Sequence, residues 1–352
     1  MKRNAEPPQP VFDPFRVDAI IAEHCAALAE KFSPADARTI AENALAAHFG
    51  RKHALLVSSG GEALALGVRL LASARKAKVL LPAITHRSLL EAAQAAGLEA
   101  VCVESDPKNL NIDPAKTLPA AAKGDIAILP HMFGIPVPET LFHALHEKGI
   151  KTVEDASQAH APGVLETPVG RLGTVTAVSL SEGKPLSAKG HSAGALLCDD
   201  EETVAFCSAQ IKEGKASRPD GAVAYSILMK LRLLPDIYVS LGKTCRLYSE
   251  ELASMPQAQT IDGLLFSPQD YPAFFSDANG LKAWFADKKL PLESSYTPMN
   301  ERLGLGYDEF PVAKHYREHC LHLPLYPFMA DSETLAITRA IKNFYRKHGK
   351  KS

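Results

Sequence analysis

Thr152-Val153-Glu154-Asp155-Ala156-Ser157-Gln158-Ala159-His160 opens as a strand-like apolar run and closes on two carboxylates, an amide and an imidazole. A buried strand reads this way where it delivers side chains to the edge of a sheet, although the same polar cluster would also cap a following helix. The rhythm repeats on both sides. HALLVSS, AKVLLPA, EAVCVES, DIAILPH, IKTVED, TVTAVSLS and GALLCDD are short apolar runs, and helix-like segments such as GEALALGVRLLASA, RSLLEAAQAAG and PETLFHALHEKG lie between them. This alternation predicts an α/β chain with a mostly parallel sheet covered on both faces, a class in which ligands sit beyond the carboxyl ends of strands.

Ahead of this core, residues 1–14 form a Pro-rich arm, and VDAIIAEHCAALAEKF has helical spacing. A second helix, ARTIAENALAAHFG, follows the start signal Ser33-Pro34-Ala35-Asp36 and stops at Gly50. After Asp200 the rhythm is lost. EGKASRPDGAVAYSILMKLRLLPDIYVSLGK reads as an irregular excursion with helices, and its basic-apolar run Ile227 to Leu234 suits a dimer or domain core better than a membrane surface. Isolated strand-like pieces, TIDGLLFS and HLPLY, and a terminal helix from near Asp331 complete a smaller α+β part. The expected division is an arm over 1–14, a large domain over 15–245 and a small domain over 246–352.

With 39 Lys+Arg against 40 Asp+Glu in 352 residues, the chain has no global field to gather nucleic acid or an anionic membrane. No stretch approaches the roughly 18 apolar residues of a membrane span. The six cysteines include no CxxC pair, which suits a reducing compartment, and the N-terminus has no apolar signal region, so a soluble cytoplasmic protein is expected. His315 and His319 have a zinc-compatible spacing, yet packing or surface roles are the better reading for them and for His143 and His146, and no metal is expected.

Chemistry gathers at strand ends. Val57-Ser58-Ser59-Gly60-Gly61-Glu62 closes a strand and opens a helix, so the amides of Gly60, Gly61 and Glu62 can point at an anion; taken alone, an ordinary turn with a Ser/Glu cap is preferable. A carboxylate at the partly buried end of the strand through Asp155 can hold a protonated ring nitrogen. Ser179-Leu180-Ser181-Glu182-Gly183-Lys184 brings hydroxyls and an amine to the same edge, 29 residues beyond Asp155, although a loop lysine is usually solvated.

A Gly-rich turn, then a carboxylate, then this lysine resembles the order in fold-type I enzymes that use pyridoxal 5′-phosphate (PLP). It closely resembles the DegT/DnrJ/EryC1/StrS family of sugar aminotransferases, through AAHFGRKHALLVSSGG, LLPAITH, GLEAVCVESDPKNLNID, ILPHMFGIP, VEDASQAHAP, VGRLGTVTAVSLSEGKPLSAKG and HCLHLPLYPFMADSE. The resemblance implies that Lys184 is the lysine that binds PLP covalently and moves protons, and that Asp155 keeps the pyridine nitrogen protonated. It puts Gln158 beside the phenolic oxygen, and Ser179 with the Gly60, Gly61 and Glu62 amides around the phosphate. His86 falls where the family stacks an aromatic ring on the cofactor, and His160 is expected to line it.

Two departures stand out. Pro185-Leu186 and Gly190-His191-Ser192-Ala193 replace the family's Asn-Leu and Gly-acidic-Gly-Gly. Gly221 to Ser226 replaces a segment whose Asn reaches the partner subunit's phosphate, leaving Lys215, Arg218 or Tyr225 as substitutes. The resulting expectation is a homodimeric, ping-pong aminotransferase carrying an amino group from glutamate or glutamine to a nucleotide-linked keto sugar. Lys184 argues against the family's sugar dehydratases, which have His there. A non-sugar ketone or cyclitol acceptor, or a degenerate PLP-binding interaction protein, stays open.

Overall fold

The computed structural model describes residues 10–72, 77–161, 166–187, 190–261 and 263–348, so positions 1–9 of the expected arm lie outside the described residues. Each of the seven apolar runs contains one strand of a single sheet: β1 (His53–Val57), β2 (Lys78–Pro82), β3 (Glu99–Val103), β4 (Ile126–Pro130), β5 (Lys151–Asp155), β6 (Val175–Ser179) and β7 (Gly194–Cys198). The spatial order is β1-β7-β6-β5-β4-β2-β3, and β7 alone runs against the others.

Helices α1 (Arg16–Lys31) and α2 (Pro34–His48) precede the sheet, and α2 is capped by Ser33, whose Oγ accepts from the Asp36 amide at 3.2 Å. The connections carry α3 (Gly60–Leu71), α4 (Ser88–Ala95), α5 (Pro114–Ala120) and α6 (Glu139–Glu147). Val57, Val79, Val153 and Ala177 bury against α3 and α4 on one face, while Leu56 and Val178 pack towards α2 and Leu80 and Leu129 towards α6 on the other. Because both faces are covered, the strands read as unbroken apolar runs.

The region after Asp200 differs from its sequence expectation. It holds α7 (Glu201–Lys212) and then a continuous 31-residue helix, α8 (Ala222–Leu252), with Pro235 inside it. Burial overrides the local signal. Ile227 and Leu234 join the core beside α2, Ile237 and Leu241 pack on Ile21 of α1, and Cys245, Tyr248 and Leu252 belong to a second core. The helix therefore runs straight through position 245.

That second core surrounds a small antiparallel sheet of β8 (Ala258–Thr260), β9 (Tyr271–Phe275), β10 (Glu293–Ser294) and β11 (Cys320–Leu323), ordered β10-β11-β9-β8. Helices α9 (Ala278–Lys288), α10 (Met299–Arg302), α11 (Pro311–His319) and α12 (Asp331–His348) complete it. Among the described residues of TIDGLLFS only Thr260 reaches a strand, and Gly263, at φ +85°, turns the chain instead. Strand β9 escaped the sequence reading because Pro272 argues against a central strand. It is tolerated because β8 pairs only with residues 273–275. Among the described residues no helix is long and apolar enough to cross a membrane.

Candidate active site at the carboxyl ends of the strands

Two neighbouring carboxylates end β5, and the pleat separates their work. Glu154 is fully buried and accepts from His131 Nε2 at 2.9 Å, the amides of Gly170, Leu172 and Gly173 at 2.7, 2.9 and 3.0 Å, and Thr176 Oγ1 at 3.1 Å. Burial raises its pKa, but the hydrogen bond and charge of His131, with the backbone amides, outweigh it and hold the carboxyl below its ordinary range. Glu154 is a structural anchor for the 170–173 turn.

Asp155 is 5% exposed and accepts from the Ser157 amide at 3.0 Å. Burial pushes its pKa up, opposed by Ser157 and by the charge of Lys184. A buried carboxyl this thinly supplied with donors is stabilised by a cation.

Beside it lies a cavity of about 450 Å³ whose walls include Gly60, Gly61, His86, Gln158, Ser179 and Lys184. Gly60 and Gly61 are the first residues of α3, where amides lack intrahelical acceptors and face an anion favourably. Ser179 ends β6, and its amide donates to Ser157 Oγ at 2.9 Å. Lys184 sits in a tight turn after Gly183, which has φ +88°, with its amide donating to Ser181 O at 3.2 Å. Pro185 and Leu186, which stand where the resemblance expects Asn-Leu, are buried.

Gln158 is held at both ends. Its Oε1 accepts from the Phe133 amide at 2.5 Å, while Nε2 donates to Tyr296 Oη at 2.9 Å and Asp270 Oδ2 at 3.4 Å. Phe133 occupies the left-handed region at φ 58°, a strained conformation for a bulky residue, and its ring stacks on Tyr296 with centroids 6.3 Å apart. Tyr296 and Asp270 come from the second core and were missed in the sequence. An aromatic residue beside Pro298 in a polar loop was the sole local signal for Tyr296.

His86 lies on the cavity wall with its ring 6.2 Å from that of Tyr296, and partial burial, followed by the charge of Lys184, lowers its pKa. Glu62 turns away: its amide donates to Ser59 Oγ at 3.1 Å and its carboxylate accepts from the amides of Ser58 and Ser217, each at 2.9 Å. His160 is not on the wall. It is fully buried beside Phe49, neither ring nitrogen has a hydrogen-bond partner among the described residues, and burial, then Lys184, pulls its pKa down to about 3.

The substitutes for a cross-subunit donor are engaged within their own chain. Arg218 pairs with Glu42 and donates to Leu56 O at 3.0 Å, Tyr225 Oη donates to Phe32 O at 2.7 Å, and Lys215 pairs with Glu213. Among the described residues no three His, Cys, Asp or Glu side chains meet in a metal-binding cluster. His322 bonds to Tyr316 Oη and His315 stacks on Phe274.

These residues fit PLP on their own chemistry: a buried carboxyl short of donors for a pyridinium, glycine amides and hydroxyls for a phosphate, and a lysine between them. Residues 30–261 match the DegT/DnrJ/EryC1/StrS aminotransferase family. Among curated proteins, the 3-amino-5-hydroxybenzoate synthase of Amycolatopsis mediterranei is 31% identical over 173 residues, covering 49% of this chain and 44% of that protein. The UDP-2-acetamido-2-deoxy-3-oxo-D-glucuronate aminotransferase of Pseudomonas aeruginosa is 23% identical over 321 residues, 86% of this chain and 89% of its own. Among solved structures, DesV of S. venezuelae superposes with a TM-score of 0.86 at 21% identity, covering 96% of this chain and 99% of that one.

Proposed function

We propose, from the premise that this chain belongs to the DegT/DnrJ/EryC1/StrS aminotransferase family, that it transfers an amino group from glutamate or glutamine to the carbonyl of a keto sugar or sugar-like ring. The observation that carries the reading is the convergence of Lys184 on the cavity beside Asp155, with Gly60, Gly61 and Ser179 in the same cavity's walls. When bound, PLP supplies an electron sink next to the reacting carbon.

The chain's own residues do the rest. The amides of Gly60 and Gly61, at the start of α3, and the hydroxyl of Ser179 hold the phosphate. Asp155 holds the proton on the ring nitrogen, and His86 offers a flat face to the ring. Gln158, oriented by Phe133 and Tyr296, sets its side chain beside the phenolic oxygen and the ring face. Lys184 Nζ holds the cofactor and, once released, moves a proton to and from the substrate's Cα as general base and acid.

Two acceptor classes follow. A nucleotide-linked keto sugar is supported by the Pseudomonas aeruginosa relative, whose name specifies one. A non-sugar ring ketone is favoured by the Amycolatopsis mediterranei relative, a synthase of an aminated benzoate. The six unpaired cysteines support a cytoplasmic setting, and a closed two-fold homodimer is proposed from the family resemblance.

Mixing PLP-loaded protein with glutamine or glutamate tests the reading. The visible band of the bound cofactor is expected to disappear and to return when a keto-sugar acceptor is added. Retention of the band with every amino donor overturns the enzyme reading in favour of a PLP-binding interaction protein.

A further inference from the structure

The space around Lys184 does not end at the cofactor region. A second cavity of about 450 Å³ shares Glu182, Lys184 and Tyr296 with the first and extends to Asp18, Lys230 and Asp270. Its charges are unlike those of a phosphate site. Among the described residues lining it the cations are Lys184 and Lys230, the carboxylates are Asp18, Glu182 and Asp270, and there is no arginine or histidine. Lys184 is committed to the cofactor. Lys230, 3% exposed, is paired with Asp18 at 3.0 Å, so its charge is already neutralised inside the wall.

What remains is rich in acceptors. Asp270 Oδ2 lies 3.4 Å from Gln158 Nε2 and 3.5 Å from Tyr296 Oη, in the wall of the same cavity as Lys184. Gln269, 8% exposed in the same wall, gives Nε2 to Gly183 O at 3.1 Å, while its Oε1 has no donor among the described residues. Phe12, Phe15 and Tyr326 supply flat apolar surface.

We propose, resting on the aminotransferase reading above, that this vestibule admits the acceptor as an uncharged, hydroxyl-rich ring ketone held through Asp270, and disfavours phosphorylated and nucleotide-linked keto sugars. Hydroxyls donating to a carboxylate make charge-assisted bonds, and the apolar faces of a ring suit aromatic walls. A phosphate leaving water needs cations or amide donors, and here it would face carboxylates instead. The exchange balances without an outside oxidant: the donor's C–N bond becomes C=O with loss of two electrons, and the ring's C=O becomes C–N with their gain. The water consumed in the first half is returned in the second.

In the test, PLP-loaded protein is converted with glutamine, then challenged with a keto-inositol and an unphosphorylated 3-keto-hexose, each against phosphorylated and UDP- or dTDP-linked keto sugars at equal concentration. Recovery of the cofactor band is expected at least about tenfold faster with the uncharged rings. Asp270→Asn should raise KM for the ring ketone about tenfold, with a much smaller change in kcat, its own cofactor band reporting an intact fold. Equal or faster recovery with the charged sugars overturns the proposal, as does an unchanged KM in the variant. If neither glutamine nor glutamate converts the cofactor, the aminotransferase reading fails first and this inference with it.

Discussion

Gly60 and Ser179 meet with no room for a side chain between them: a Cβ on Gly60 would stand 2.6 Å from Ser179 Cβ and 3.0 Å from its Oγ. Strand β6 and helix α3 are thereby brought together in one wall of the cavity. Gly61 differs, its added Cβ meeting nothing nearer than Ser88 Cβ at 3.6 Å. Gly60→Ala should therefore weaken PLP binding by about tenfold or more, while Gly61→Ala changes it by less than about threefold. Titration of apo protein with PLP, read by the cofactor's absorbance, measures both, and equal effects would remove Gly60's special place.

Borohydride reduction of PLP-loaded protein followed by peptide mapping should tag Lys184. Lys184→Ala should retain PLP through the phosphate contacts and lose about three orders of magnitude in the donor half-reaction, because holding the cofactor and moving the proton are separate duties. A tag on another lysine would displace Lys184 from the mechanism.

Asp155→Asn should cut the half-reaction by about a hundredfold or more while leaving the fold intact. Its effect on stability has a definite sign. Burial raises the folded pKa of Asp155, so ionising it costs the apo protein stability as pH rises through that pKa. Apo Asp155→Asn should melt higher than the parent at pH 7.5, with the gap closing below about pH 4, where the carboxyl is protonated in both states. Thermal melts across that range check it, and a variant that melts lower at every pH would contradict it.

His160 is a second source of pH dependence. Its pKa falls to about 3, with burial first and Lys184 next among the causes, so the folded state holds it neutral where the unfolded chain takes up a proton. Stability is then present above about pH 6.5 and lost as pH falls towards 3. His160→Leu should lose less stability than the parent between pH 6.5 and 4, a difference of a few kcal/mol by denaturant titration. Parallel losses would show that the imidazole does not resist protonation.

Arg218 serves its own chain through Glu42 and Leu56 O, so Arg218→Ala should cost about 1 kcal/mol of stability. Sedimentation should show a dimer at micromolar concentration. Mixing Lys184→Ala with Arg218→Ala protein should give only the activity expected from the surviving Lys184 sites. Activity restored above that level would make Arg218 a donor to the neighbouring site.

By itself the sequence determined the large sheet, because strands covered on both faces must be apolar at successive positions and the helices between them repeat at their own period. It also determined Asp155, Ser179 and Lys184 as candidates, since each sits at or just beyond a strand end where polar residues interrupt an apolar run. Tertiary structure decided the rest. The pleat sends Glu154 to the 170–173 turn and leaves Asp155 near Lys184, although both are acids in one run. Packing on both cores carries α8 through Pro235, against its local signal. Gln158 is oriented by Tyr296, 138 residues away, and by the amide of a strained Phe133. Periodicity reports only on neighbours along the chain. Which loops meet over the cavity depends on how the second core docks against the sheet, and that is fixed by long-range burial.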